Sequence, residues 1–321
     1  MAVNNSLTKS RSGGKPQTFS AFLTSDAIKN RINSMVGGKD GQRFITSIIS
    51  AVSNNPALSE CDHATILSAA MLGESLKLSP SPQLGQYYMV PFKQKAKYDR
   101  TGNLLSPEKV VAQFQLGYKG YIQLAIRSGY YKKLNVLAIK EGELVTFNPL
   151  EEEIEVNLVE DDSVRETLPT VGYYAMFEYQ NGFKKAMYWS REKMMAHADK
   201  YSAAFSASKY RDLMDGNVPE KDMWKYSSFW YKDFDGMAYK TMLRQLISKW
   251  GIMSIEMQKA MDGDMAAINE DGSANYVDND TYTPSESANV TIDVDPESGE
   301  VIGVTPAAEE DPTAAFFGDE G

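Results

Sequence analysis

"TVGYYAMFEYQNGFKKAMYWS", residues 170–190, is the stretch on which the fold class turns. Two aromatic-rich runs flank Asn181-Gly182, the pattern of an antiparallel hairpin, and the Asn-Gly step predicts a type I′ turn. Ser190 closes the second strand and offers a hydroxyl to cap a helix, predicted to continue to about Lys200. Strands that pair locally and pass directly into helices belong to an α+β protein.

Working outward, "KLNVLAIKEGELV" (133–145) reads as the preceding strand, and a helix from about Tyr118 to Arg127 ends at Ser128-Gly129. "QYYMVPF" (86–92) and "KVVAQFQLG" (109–117) read as strands joined by a long basic loop, "KQKAKYDRTGNLLSPE". Helical spacing of Phe44, Ile45, Ile48, Ile49 and Val52 predicts a helix over 40–55, which Pro56 ends. A second helix over 61–78 has Asp62 as its cap. Another helix covers about Ser228 to Trp250, with Gly251 as its stop. Three regions follow: a loose basic arm with one short helix (1–38), a core (39–260) and a mostly disordered acidic tail (261–321).

The charge is divided along the same lines. The chain carries a formal net charge of −10, yet it has no Lys or Arg after Lys259, and residues 261–321 hold 16 acids. Residues 1–260 therefore carry +6, and about +13 once the acidic island "EEEIEVNLVEDDSVRE" (151–166) is set aside. From Lys109 to Lys140 there are six basic residues and no acid. A basic body with an acidic tail calls for a polyanionic partner.

The motifs of nucleotide and metal chemistry do not appear. "SGGKPQ" (12–17) and "VGGKD" (36–40) place Pro16 and Asp40 where a phosphate-cradling loop needs Ser or Thr, so no ATP site is expected. Cys61 is the only cysteine, and His63 and His197 the only histidines, so neither a disulfide framework nor a thiolate zinc site is expected. "KDFDG" (232–236) offers Asp233 and Asp235 as a candidate Mg²⁺ pair, the basis of an alternative reading as a metal-dependent nuclease. Acids in the first turn of a helix have a plainer explanation, since the helix dipole favours them there. Without an apolar run of about 18 residues or a secretory h-region, a cytoplasmic protein is expected, neither an enzyme nor dependent on a cofactor.

Three basic-aromatic clusters stand out. The first spans Lys93 to Arg100, beside Tyr87, Tyr88 and Phe92. The second is "GYKGYIQLAIRSGYYKK" (117–133), whose Lys119, Gln123 and Arg127 share one helical face. The third, "FWYKDFDGMAYKTMLRQLISKW" (229–250), spaces Lys240 and Arg244 four residues apart. A basic stripe on a helix is usually a solvated face. The three together fit a single-strand groove, in which cations follow phosphates and rings stack on bases.

"NPALSECDHATILSAAMLGESLKLSPSPQLGQYYMVPF" (55–92), "FQLGYKGYIQLAIRSGYYKKLNVLAIKEGE" (114–143) and "FWYKDFDGMAYKTMLRQLISKWG" (229–251) resemble the phage RecT family of single-strand DNA annealing proteins. The resemblance covers about residues 40–255. It implies helices packed on a twisted antiparallel hairpin and sheet, and ATP-independent pairing of complementary strands in a basic groove. It also implies a homo-oligomeric ring or filament in the bacterial host cell, with single-stranded DNA, the annealed duplex, a partner exonuclease and host single-strand binding protein as partners. The expected phosphate contacts are Lys93, Lys119, Arg127, Arg211, Lys240 and Arg244, with Gln115, Tyr118 and Lys209 secondary. A passive single-strand coat is the second alternative.

Overall fold

The structure is a computed structural model that describes residues 18–99, 101–202, 204–268, 274–276, 290–294 and 301–306. They fall into two compact units, residues 1–278 and 279–321.

The first unit opens with α1 (Phe19–Thr24), α2 (Asp26–Val36) and α3 (Gly38–Ser53). Thr18 caps α1 by accepting from the Ala21 amide, and Phe19, Leu23 and Ile32 are buried. Residues 19–36 are therefore two packed helices rather than part of a loose arm. The apolar positions of "FLTSDAIKNRI" are too few for a visible stripe, but they find a core. Residues 1–17 of the expected arm lie outside the described residues.

A short 3₁₀ turn (Pro56–Glu60) leads to α4 (His63–Ser75), which Asp62 caps as expected through the Ala64 amide. This helix is buried almost all round, and Gly73 is the reason it packs so closely: a Cβ there would lie 2.4 Å from the Tyr87 ring. It ends at Ser75, short of the expected Leu78, because Lys77 turns into the left-handed region at φ 51° and the Leu78 amide bonds back to Gly73 O.

Strand β1 (Tyr87–Gln94) continues into an arm formed by β2 (Lys97–Tyr98) and β3 (Leu104–Ser106), and β4 (Lys109–Leu116) returns antiparallel to β1. The expected basic loop is thus a hairpin. The Asp99 carboxylate turns it by accepting from the Thr101 and Asn103 amides, both at 2.8 Å.

Helix α5 (Tyr118–Ser128) ends at Gly129, whose φ of 73° is the left-handed stop read from the sequence. Next come β5 (Tyr131–Lys140), β6 (Leu144–Asn148), β7 (Glu153–Val156) and the single-turn α6 (Asp162–Arg165). The acidic excursion is clamped at its base, where fully buried Glu143 pairs with Arg165 at 2.6 Å and Arg165 also donates to Ala138 O. Burial raises the Glu143 pKa, but hydrogen bonds from Arg165 and the Lys140 and Val159 amides outweigh it and hold the carboxyl below its usual range.

Strands β8 (Thr170–Tyr179) and β9 (Lys184–Ser190) form the expected hairpin and give a sheet of order β5-β8-β9. Its turn is not type I′. Tyr179 and Phe183 face each other across a three-residue loop, with Gly182 N donating to Tyr179 O and Gly182 at φ 85°. That is a type I turn followed by a left-handed glycine, and Asn181 instead uses its side chain to accept from the Phe183 amide.

Ser190 caps α7 (Arg191–Tyr201), and α8 (Ala207–Met214) follows. The helix expected over 228–250 is two: α9 (Phe229–Lys232) and α10 (Phe234–Trp250). Asp233, at φ −147° and ψ 72°, breaks the run and caps α10 through the Gly236 amide. Ala238, Met242, Leu243, Leu246 and Ile247 are buried where α10 packs on α5 and the β5-β8-β9 sheet. Each large side chain there contributes roughly 1.5–3 kcal/mol.

The core does not end at 260. Helix α11 (Ile255–Gly263) leads to β10 (Ala266–Ile268) and β11 (Ala274–Tyr276), and β10 pairs with β4 to give the order β1-β4-β10-β11. The composition changes at this point, but the sheet needs only the small residues Ala266 and Ala267, both buried. In the second unit, β12 (Val290–Val294) and β13 (Val301–Pro306) form an antiparallel hairpin. The other residues of the expected disordered tail lie outside the described residues. Among the described residues, no helix is long and apolar enough to cross a membrane.

Candidate nucleic-acid interface

The two basic residues that the sequence brings together most plainly, Lys240 and Arg244, are not on a surface. Both project from α10 onto Asp264, which is fully buried. Lys240 Nζ lies 2.8 Å from one carboxylate oxygen and Arg244 Nη1 2.6 Å from the other. The Leu116 amide donates to Asp264 at 2.9 Å and the Tyr121 hydroxyl at 3.4 Å. Burial lowers the Lys240 pKa even with Asp264 beside it, while contacts with Tyr121 and Asp264 raise that of Arg244 against its own burial. Both charges are thus answered inside the protein by Asp264, away from the surface on which phosphate contacts were expected. Asp264 escapes notice in the sequence because it lies in the acid-rich segment, where nothing local marks one carboxylate as inward-facing. Its inward turn depends on Met265 at φ 65°, whose amide bonds Phe114 O.

Arg127 is also engaged. It donates to Leu76 O at 2.6 Å and Lys77 O at 3.3 Å, satisfying the open carbonyls at the end of α4. Gln115 is half-buried on β4, with its amide 3.4 Å from Gln113. Lys93 is exposed and pairs with Glu108 at 3.0 Å, a surface contact that a phosphate can displace. Lys209 and Arg211 are exposed on either side of buried Tyr210 on α8.

The remaining pair, Tyr118 and Lys119, forms the centre of a basic-aromatic surface. Lys119 is exposed at the first turn of α5, where the N-cap residue is Gly117 and has no side chain to cap with. Its Nζ lies 5.9 Å from the Tyr118 ring centroid, and its stem would meet a Cβ added at Gly85. Tyr88 reaches the same place from β1 and packs on Phe229 of α9 at 5.4 Å, and Phe229 is itself exposed. Burial raises the Tyr88 pKa, with the Asp233 carboxylate and Tyr118 adding to the effect. Tyr118 packs edge-on against Tyr239 of α10 at 5.5 Å.

Glycine makes this convergence possible. A Cβ on Gly117 would lie 2.1 Å from Gly85 O, and one on Gly120 would lie 2.2 Å from Gln86 O. In "GYKG", then, both glycines let α5 start against the 85–86 backbone, and Tyr118 and Lys119 are presented between them. Neither Tyr88 nor Phe229 stands out in the sequence as a site residue. Each is visible there only as a ring near lysines, and their meeting is a tertiary event.

The candidate metal pair is committed elsewhere. Asp233 caps α10, and Asp235 accepts from the Tyr173 hydroxyl at 2.6 Å and the Thr170 hydroxyl at 3.2 Å.

The model of the RecT family matches residues 42–281. The chain belongs to the RecT family. The match runs past residue 260 to take in α11, β10 and β11, the segment that carries Asp264. The uncharacterized protein YqaK of Bacillus subtilis (strain 168) is 33% identical over 315 residues, covering 97% of this chain and 93% of its own. Protein RecT of Escherichia coli (strain K12) is 28% identical over 223 residues, covering 70% and 71%. RecT-family membership places the chain among proteins of DNA recombination that bind and anneal single strands.

Proposed function

We propose that this protein pairs complementary DNA strands without nucleotide hydrolysis, as an oligomer, and holds a strand on the surface built by Tyr88, Tyr118, Lys119 and Phe229. That surface is the observation that carries the reading: an exposed cation and three rings from three distant segments, brought together by glycines. Lys93, Lys209 and Arg211 are secondary phosphate contacts. Arg127, Lys240 and Arg244 act through the fold instead.

The physics suits annealing. Two strands repel through their phosphates, and a cationic surface lowers that barrier. Rings stack on any base at roughly 1–3 kcal/mol each, so the protein does not choose the sequence. Holding the backbone leaves the base edges free to test each other. The protein acts in the bacterial cytoplasm beside an exonuclease that exposes single strands and a host single-strand binding protein that coats them.

The test is the pairing of two complementary labelled oligonucleotides, followed by fluorescence quenching with the full chain and no ATP. Acceleration over the protein-free rate, reduced at least tenfold by Lys119→Glu and by Tyr88→Ala with unchanged circular dichroism, supports the reading. Binding without acceleration leaves a passive coat and overturns it.

A further inference from the structure

The far end of α10 carries a second basic-aromatic surface that the site above does not use. Tyr118 and Tyr88 lie toward the start of this helix, which at 17 residues is about 25 Å long. At its other end Trp250 is 52% exposed, Phe183 48% and Ile252 45%. They form one patch around Tyr179, whose hydroxyl donates to Trp250 O at 2.9 Å and accepts from the Ile252 amide at 2.6 Å, while its ring stacks on Phe183 at 5.7 Å.

The charge around the patch is unbalanced. Among the described residues, Glu178 is the one carboxylate paired with three ammonium groups, Lys132 at 2.7 Å, Lys133 at 3.8 Å and Lys184 at 3.9 Å. Its pKa is held below the usual carboxylate range, first by the hydrogen bond from Lys132. Lys185 pairs with Glu152 and sits 3.6 Å from the Trp250 ring centroid. Lys249 is exposed on the preceding residue and helps to depress the pKa of His197 nearby. A neutral apolar partner would leave these lysines unanswered, whereas a polyanion that carries flat apolar rings would satisfy both features.

We propose that this patch is a second single-strand DNA site, with Trp250 and Phe183 as stacking platforms and Lys133, Lys184 and Lys249 as phosphate contacts. It rests on the annealing reading and extends it: one strand lies at each end of α10, so two strands are held by one chain before they pair.

The test compares wild type with Lys133→Glu/Lys184→Glu, both side chains being 65% exposed, and separately with Trp250→Ala. Anisotropy of one labelled oligothymidylate reads first-strand affinity, and quenching of complementary labelled oligonucleotides reads annealing. The expected result is single-strand affinity within about threefold of wild type and annealing slower by tenfold or more in both variants. Annealing that falls no further than affinity would overturn the second site. A smaller assembly on sedimentation, with annealing reduced in proportion, would make the patch a subunit interface and overturn it too. If wild type binds but does not anneal, the functional reading fails, a result distinct from either.

Discussion

Replacing Asp264 by Ala tests the buried charge cluster at the centre of the fold. The carboxylate is fully buried, pairs with Lys240 at 2.8 Å and Arg244 at 2.6 Å, and receives the Leu116 amide at 2.9 Å. Removing one partner of a buried ion pair costs about 3–5 kcal/mol, because the other charge is left without water or counter-charge. Here two cations are left, together with a buried amide whose loss alone costs about 1–3 kcal/mol. These terms are not additive, and rehydration relieves some of the strain, so the expected loss is about 4–6 kcal/mol. Against a total stability of about 5–15 kcal/mol, that is enough to leave the variant marginal. Urea denaturation followed by circular dichroism reads it: with a slope near 3 kcal/mol/M, the midpoint falls by about 1.3–2 M. Replacing Lys240 and Arg244 by Met together with Asp264 by Leu removes the charges as a set and should recover the ionic part of the loss, leaving only the cost of the unpaired Leu116 amide. A single-variant loss below about 1 kcal/mol, or a triple variant as unstable as the single, would refute the buried cluster. Slower annealing in Lys240→Ala or Arg244→Ala would, by the same reasoning, report a damaged fold and not a missing phosphate contact.

Three further outcomes are expected. Gly117→Ala places a methyl 2.1 Å from Gly85 O and should cost about 1–3 kcal/mol in thermal or urea denaturation, where Gly129→Ala, with nothing within 4 Å of its Cβ, pays only for its left-handed φ. Lys119→Glu should lower the magnitude of the salt slope of single-strand binding by about 0.7 for each phosphate no longer neutralised, measured by anisotropy across a salt series with the midpoint of unfolding unchanged. His197 lies between the rings of Trp189 and Tyr201 at 5.2 and 4.6 Å, and its pKa is lowered from 6.5 to about 4 by burial first and then by Lys249, Lys200 and Lys193. Because the unfolded chain takes up this proton near pH 6.5 and the folded chain only near 4, the stability is complete above 6.5 and declines as pH falls between the two. His197→Gln should flatten that part of the stability profile.

The parts legible in the sequence are those fixed by local chemistry. The strand runs on each side of Asn181-Gly182, the Asp62 and Ser190 caps and the Gly129 stop each follow from residues within a turn of one another, and each is found. The type I′ expectation fails because Asn-Gly fits two turns, and loop length, which is set by the strand register, decides between them. The break at Asp233 is hidden because a cap inside a helical pattern looks like one more acid. The candidate site divides on burial. Lys119 and Arg244 look alike in sequence, as cations among aromatic and apolar neighbours, yet one is solvated and the other paired with a carboxylate 20 residues on. Only the path of β10 along β4 separates them.

The most direct measurement is photocrosslinking of the full chain to a single-stranded oligonucleotide carrying 5-iododeoxyuridine, with the modified peptides identified by mass spectrometry. Adducts are expected on Tyr88, Tyr118 or Phe229, diminished in Lys119→Glu, and none on the largely buried segment 240–244 that carries Lys240 and Arg244. Adducts confined to that segment, with Tyr88, Tyr118 and Phe229 unmodified, would contradict a strand held on the α5 surface.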